Sequence, residues 1–439
     1  MVVTEASPLS PIPEAGKRRD TAMDFLIKDG VLLRYTRKYA SQEIIVPEGI
    51  REIGKRAFSE VKNIRHIRLP DSLERIGDYA FSECRTLMEI VIPAGVRKIG
   101  TGAFYCCRSI REAKLPETLS ELSPDLFSEC YSLQRITIPE TVTCIPNNCF
   151  YYCKTLKSIS LPSNLLEIGA GAFHNCEQLS KISLGSKVSH IGMSAFQSCA
   201  ALQTFKIPPG VKRLEFGVFW GCRKLREITF PPQLEHIGDN AFMECRALES
   251  VIIPKTVETL GDQVFSNCEM LGEITIPASV RQIGSRVFNG CFALQQMQVE
   301  KDNLHYDSRE NCNAIVNTKS NTLIAGCRNS RIPETVEQIG EYAFFNIRGL
   351  RSITIPDRTV RICHQAFDGC IDLEEISFGG GLTHIESFAF HRCEGLTDLD
   401  LPNGLREIGM WAFAGCSNLT EPVRIPSSVT HIGPLAFTR

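Results

Sequence analysis

The sequence predicts a solenoid of about sixteen to seventeen stacked coils. It is expected as an α/β repeat superhelix, with a parallel β-sheet on one face and short strands and short helix or 3₁₀ turns on the others. Three observations predict it. Phenylalanine recurs every 23 residues from Phe58 to Phe288, and the series resumes at Phe344, Phe367, Phe390 and Phe413 before a last copy at Phe437. Cysteine stands three residues after that phenylalanine in thirteen coils. The chain has 439 residues, whereas single compact cores stop growing near ~250–300 residues. Units that cannot bury their own apolar face must stack on their neighbours, and one continuous core is expected to run through the stack.

Within a unit the elements follow in order. The run Leu156, Ile159 and Leu161 alternates apolar and polar residues, which predicts a short strand with one buried side. Proline comes next in most units (Pro70, Pro93, Pro116, Pro139, Pro162); lacking an N–H, it marks the strand's end. The pair Leu165 and Ile168 leaves room for a brief second extended stretch before Gly169. That glycine is replaced by Ser123, Pro146, Glu215, Cys363 and Glu386 in other units, so the turn does not demand a positive φ in every coil. Ala172, Phe173, Cys176 and Leu179 then place apolar groups three or four apart, which predicts a short helix or 3₁₀ turn. At ~4.8 Å per strand the stack would extend on the order of 80 Å.

The thirteen repeat cysteines face inward, where a small apolar side chain with a weak S–H donor satisfies a turn carbonyl. Val61 and Ile347 replace it in two units, as packing permits and chemistry would not. A reducing compartment is the simpler home for such a ladder. Cys312 and Cys327 flank an irregular segment and are the pair that would close a disulfide in an exported protein. Cys144, Cys149 and Cys153 do not have metal-ligand spacing, so no metal is expected.

The pattern Ile-Pro-x-x-Val-x-x-Ile-Gly-x-x-Ala-Phe-x-x-Cys-x-x-Leu resembles the BspA-like class of leucine-rich repeats, from Ile44 to Arg439 apart from one interruption. The resemblance implies a leucine-rich-repeat solenoid used for protein–protein recognition, often as a bacterial surface adhesin. On this reading residues 1–23 form a polar, flexible tail, and residues 24–45 resemble the hairpin that opens such arrays. Residues 46–288 and 332–439 carry the repeats. The 56-residue gap from Phe288 to Phe344 makes residues 289–331 an irregular unit with an inserted β-hairpin, read as a structural join or as a recognition loop.

Nothing in the sequence points to catalysis. A net charge of −2 gives no field for nucleic acid, and no apolar run approaches the ~18 residues of a membrane helix. Nucleophile elbow, paired zinc histidines, phosphate loop and dinucleotide fingerprint are all missing from the sequence, so no cofactor is expected. Glu89 and Glu112 fall in one column on adjacent coils, the separation a retaining glycosidase uses. A flat sheet, however, excludes no water and shifts no pKa.

Two surfaces remain as candidates for a non-catalytic scaffold that holds a protein partner. One is the exposed sheet face, basic at His66, Arg68, Lys114 and Arg135 and acidic at Glu375, Asp398 and Asp400, which suits a partner of complementary polarity. The other is the position after the repeat phenylalanine, which carries Tyr105, Tyr151, His174, Trp220 and Met243, with Tyr131 and Tyr152 nearby. Clustered aromatics on a polar ridge are typical of binding hot spots; the competing reading is that they shield the core. Aromatic faces also stack on sugars, so a carbohydrate-binding or adhesin module is the alternative. The chain as given has no apolar signal core and is expected in the cytoplasm, with the cell surface as the location the resemblance implies. Its last coil, ending at Phe437, has no polar cap, which leaves a homo-oligomer through that coil as an expectation.

Overall fold

The computed structural model describes residues 24–37 and 41–438; the tail expected over residues 1–23 lies outside the described residues. The chain winds as a β-solenoid of stacked parallel coils with three sides. The first side carries strands such as His66–Arg68, Glu89–Val91 and Glu112–Lys114. They pair in parallel with a register of one repeat, Ile90 on Ala113 and Ala113 on Ile136. Each strand runs into a corner where the proline carbonyl accepts the N–H three residues on, as Leu73 to Pro70 and Val96 to Pro93, both 3.1 Å. Proline's fixed φ is already that of such a turn.

The second side holds two-residue strands, Glu52–Ile53, Arg75–Ile76 and Lys98–Ile99, and the repeat glycine follows each. None of these glycines has a positive φ. Their role is close approach: a Cβ on Gly192 would stand 2.5 Å from the Ala170 nitrogen of the previous coil. From there the Gly192 N–H donates back to Ile168 C=O at 2.8 Å, tying the strand end to its neighbour. The exceptions explain where this sheet breaks. Pro146 has no N–H, Ser123 substitutes its hydroxyl (2.5 Å to Ile99 C=O), and Glu215 makes no such bond. The ladder is interrupted after Lys98–Ile99 and after His190–Ile191, the coils that these residues should have joined. Cys363 and Glu386 keep the bond at 2.9 Å, and the ladder through Arg361–Ile362 and His384–Ile385 stays whole.

The third side corrects the sequence expectation. The Ala-Phe-x-x-Cys stretch forms neither helix nor 3₁₀ helix. Tyr79, Phe81 and Glu83 send their N–H groups to Thr101, Ala103 and Tyr105 of the next coil, while Ala80, Ser82 and Cys84 close turns on Gly77, Tyr79 and Phe81. Half of the donors are spent between coils, so no i to i−4 series forms. The residues two before and two after the repeat phenylalanine take left-handed φ in coil after coil, as Tyr79 (54°) and Glu83 (60°), or Gly217 (60°) and Gly221 (74°). Inward spacing of three to four residues therefore arises here from alternating turns.

Inside, the rings from Phe58 to Phe288 stack face to face, from 5.1 Å between Phe58 and Phe81 to 6.0 Å between Phe265 and Phe288. Every one of the thirteen repeat thiols donates to the carbonyl of the preceding coil's phenylalanine, as Cys199 to Phe173 at 3.3 Å and Cys222 to Phe196 at 3.2 Å. Burial raises their pKa values, with Cys84 pushed up to about 12. All nineteen cysteines are free thiols, Cys312 and Cys327 included.

Two hairpins restart the stack. Phe25–Lys28 pairs antiparallel with Val31–Tyr35, whose Val31 and Leu32 join the second side beside Glu52 and Ile53. Tyr35 lies over Phe58 at 5.4 Å. Ala314–Asn317 and Thr322–Gly326 repeat the arrangement, with Leu323 beside Ile339. Here Gly326 holds the register of Tyr35, each donating its N–H to the alanine of the following coil, Ala343 and Ala57, at 2.8 Å. A glycine supplies no ring, and a Cβ there would stand 2.2 Å from the Phe344 ring. The ring column stops at Phe288 and starts again at Phe344. The core accordingly separates into two clusters at this joint, not the single continuous core that the repeat alone suggests.

The Gly192 N–H joins two coils on the second side, and loss of that bond should cost about 1 kcal/mol. Gly192→Glu should speed exchange at position 192 and lower the thermal midpoint.

Candidate functional site

On the third side a large residue two before, one after or two after the repeat phenylalanine reaches the surface, as Tyr79, Tyr105 and Tyr152 do, while the alanine just before the ring stays buried. Five of the candidate aromatics come together there. Tyr151 stacks on His174 at 4.8 Å and 19° and meets Tyr152 at 4.6 Å. Tyr152 reaches Tyr131 at 6.5 Å, and Tyr105 is tied to them through Glu129. All are half-buried: each ring shields its neighbour and leaves part of itself to solvent.

Glu129, at a left-handed position (φ 58°), is the hub. It accepts hydrogen bonds from Tyr105 Oη at 2.9 Å, Tyr131 Oη at 3.0 Å, Arg108 Nη2 at 3.3 Å and the Cys106 thiol at 3.6 Å. Partial burial works to raise its pKa, but these donors outweigh it and hold the carboxylate below its ordinary value. The same hydrogen bond, with burial adding to it, pushes Tyr105 up to about 12. Arg108 also lies over the Tyr131 ring at 4.8 Å, and Lys154 over Tyr152 at 5.6 Å, cation–π contacts that fix the rings' tilt.

The remaining candidates fall elsewhere. Gln197 separates His174 from Trp220, which meets Phe216 edge-on at 6.3 Å, and Met243 stands one coil further. Glu375, Asp398 and Asp400 are exposed on the first side, where Asp398 binds the N–H of Leu399. Glu89 and Glu112 are paired in register on that open side, and His66 bonds Glu89 at 3.2 Å. Among the described residues no group of three histidine, cysteine or carboxylate side chains converges as metal ligands.

A second aromatic ridge escaped the sequence reading. Phe388 stacks on Trp411 at 6.1 Å and 5°, and both contact His391 edge-on. Phe388 also meets His364 at 5.8 Å, and His364 meets Tyr342 at 5.8 Å. Arg286 covers Tyr342 at 3.7 Å across the hairpin insert, and His391 bonds the buried Asp368 at 3.0 Å. The signal was present two residues before the repeat phenylalanine, at Tyr342, Phe388 and Trp411. These bulky residues hold φ of 59°, 60° and 57°, where other coils use Gly102, Gly171 or Asn240. Such strain is kept where the side chain serves something besides the turn.

Comparison with known proteins agrees with this architecture. The model of the BspA type leucine rich repeat region (6 copies) matches residues 35–157, 74–203, 121–248, 191–316 and 323–439. No curated protein matches by sequence. Among solved structures, a leucine-rich repeat protein from Bacteroides ovatus is 31% identical, with a TM-score of 0.57 over 79% of this chain and 83% of that one. A leucine rich cell surface protein from Faecalibacterium prausnitzii is 26% identical, with a TM-score of 0.50 over 96% and 92%.

The ridge makes two predictions. Burial lowers the pKa of His174, so its ring resonances should titrate below the ~6.5 of a free imidazole. The neutral form is the stabilised one, so this contribution is present above pH ~6.5 and is lost as pH falls below it. Tyr151→Ser should move the His174 midpoint upward. Glu129→Gln removes the carboxylate that holds the Tyr105 proton, and absorbance titration should show that phenol returning toward its ordinary value.

Proposed function

The chain belongs to the BspA-type leucine-rich repeat family, and from that premise we propose that it is a non-catalytic scaffold holding a protein partner against the aromatic ridge. The family and the fold supply the scaffold. The observation that carries the reading is the contiguous, half-buried cluster of Tyr105, Tyr131, Tyr151, Tyr152 and His174, preset by Glu129 and Arg108 before any partner arrives. Rigid aromatic surface with polar atoms at its rim binds with little loss of side-chain freedom. The acidic positions Glu375, Asp398 and Asp400 stand on another side of the coil and contribute charge to encounter, not to the same contact.

A second reading, a carbohydrate-binding or adhesin surface, is favoured by the stacked pair Phe388 and Trp411, whose parallel faces offer a platform for a sugar ring. Location separates along the same line. The thiol ladder donates its hydrogen bonds only while reduced, which favours the cytoplasm. The similar Faecalibacterium prausnitzii protein is a cell surface protein, which favours the exterior. Surface biotinylation of intact source cells distinguishes the two.

The test is capture from the native source with immobilised wild-type chain and a Tyr151→Ser/Tyr152→Ser variant, compared by mass spectrometry. The expected outcome is loss of the captured partner by about tenfold or more, with the thermal midpoint within a few degrees. A large fall in midpoint with capture intact would establish that these rings only shield the core. Binding of glycans that depends on Trp411 would favour the second reading.

A further inference from the structure

At the hairpin insert the first side loses its ladder. The strand Gln296–Val299 pairs with Glu273–Ile276 on one edge only, and the next strands of that side, Ser352–Ile355 and Glu375–Phe378, pair with each other. The Glu300 N–H donates to Ile276 C=O at 2.9 Å, so by the alternation of an extended chain the groups of Gln298 face the paired edge and those of Met297 and Val299 face away.

Two groups of the outward edge are already answered by a side chain. Asn313 accepts the Met297 N–H at 2.7 Å and donates to Gln295 C=O at 2.6 Å, the two bonds a neighbouring strand would make. Beyond it no strand ladder covers this edge: among the described residues Gln296–Val299 stands in a two-stranded sheet with Glu273–Ile276 alone. The edge faces a groove of ≈ 960 Å³ between this strand and the loop Asp307–Asn313, walled by amide side chains that include Gln296, Gln298, Asn311 and Asn329. Sheet edges are ordinarily protected along their length; this one has two bonds from a side chain and no second strand.

The charges in the groove select the occupant. Asp307 is taken by Arg309 at 2.8 Å, and Glu300 by Lys255 at 3.5 Å and by the Ala278 N–H at 3.0 Å. Lys301 and Arg331, both exposed, line the same groove without a carboxylate partner. Two uncompensated cations stand beside the uncovered strand edge. We propose that the outer edge of Gln296–Val299 and this groove bind an acidic peptide segment in extended conformation, which adds itself as the strand that the insert displaced. Main-chain bonds to Met297 and Val299 hold its backbone, and Lys301 and Arg331 hold its carboxylates. This site is separate from the aromatic ridge.

The probe is a random decapeptide library displayed on phage and selected on the full chain. Selected peptides should be rich in Asp and Glu, and adding one should slow hydrogen exchange at the Val299 amide. Val299→Pro removes the outward N–H while leaving the paired edge its donors, and should weaken the selected peptides by about tenfold, equal to ~1.4 kcal/mol. Lys301→Glu/Arg331→Glu, at exposed positions, should weaken them at least as much. Tyr151→Ser/Tyr152→Ser should change their affinity by less than about twofold, so that failure of the ridge and failure of the groove are read apart. Selection of no acidic peptides, or of peptides that bind the charge-reversed variant undiminished or leave Val299 exchange unchanged, overturns the proposal.

Discussion

A flat ring repeated at the spacing of one coil is the constraint on which the rest of this structure depends. Stacked strands stand ~4.8 Å apart, and the phenylalanine rings stand 4.8 Å apart between Phe344 and Phe367 and 5.4 Å between Phe81 and Phe104. To keep that distance every coil must return to the same height after 23 residues. The small alanine before the ring, the cysteine three after it and the glycine four before it each clear room for a neighbouring backbone. The thiol does more than clear room, since its bond to the preceding phenylalanine carbonyl locks the height of one ring to the next. Burial that raises the thiol's pKa keeps it protonated, and a protonated thiol is the form that donates.

Departures from the repeat are informative because the constraint is so uniform. A lost N–H at Pro146 or an unmade bond at Glu215 interrupts the second-side ladder without disturbing the ring column, since Phe127 and Phe150 still stack at 6.0 Å and Phe196 and Phe219 at 5.7 Å. The hairpin insert goes further. It ends the second-side ladder at Gln282–Ile283 and starts a new one at Thr322–Gly326, and it also removes a ring at Gly326, so that the core divides there. Strand pairing and ring stacking are thus separable supports.

The outer wall is where the repeat leaves freedom. Left-handed positions accept glycine or asparagine at little cost, yet several coils place Tyr79, Tyr152, Phe388 or Trp411 there. Each of the two core blocks bears that strain easily, because its coils are held from above and below. The resulting surfaces are aromatic ridges held in place by the coils beneath them.

The sequence by itself determined the period, the stacking, which side chains face inward and the packing role of the thiols, because a column needs the same residue type at the same step and such recurrence is visible in one dimension. It also located most of the Tyr131, Tyr151, Tyr152 and His174 cluster, whose members lie within two coils of each other. Only the tertiary structure decided that the Ala-Phe-x-x-Cys stretch is a series of turns, since inward spacing of three to four residues is the same for a helix and for alternating turns, and the difference lies in N–H groups that bond across 23 residues. It alone showed the Tyr342, Phe388 and Trp411 ridge and that Gln296–Val299 pairs on one edge only. Both depend on which atoms of one coil meet the next, and the order of residues along a single coil carries no record of that.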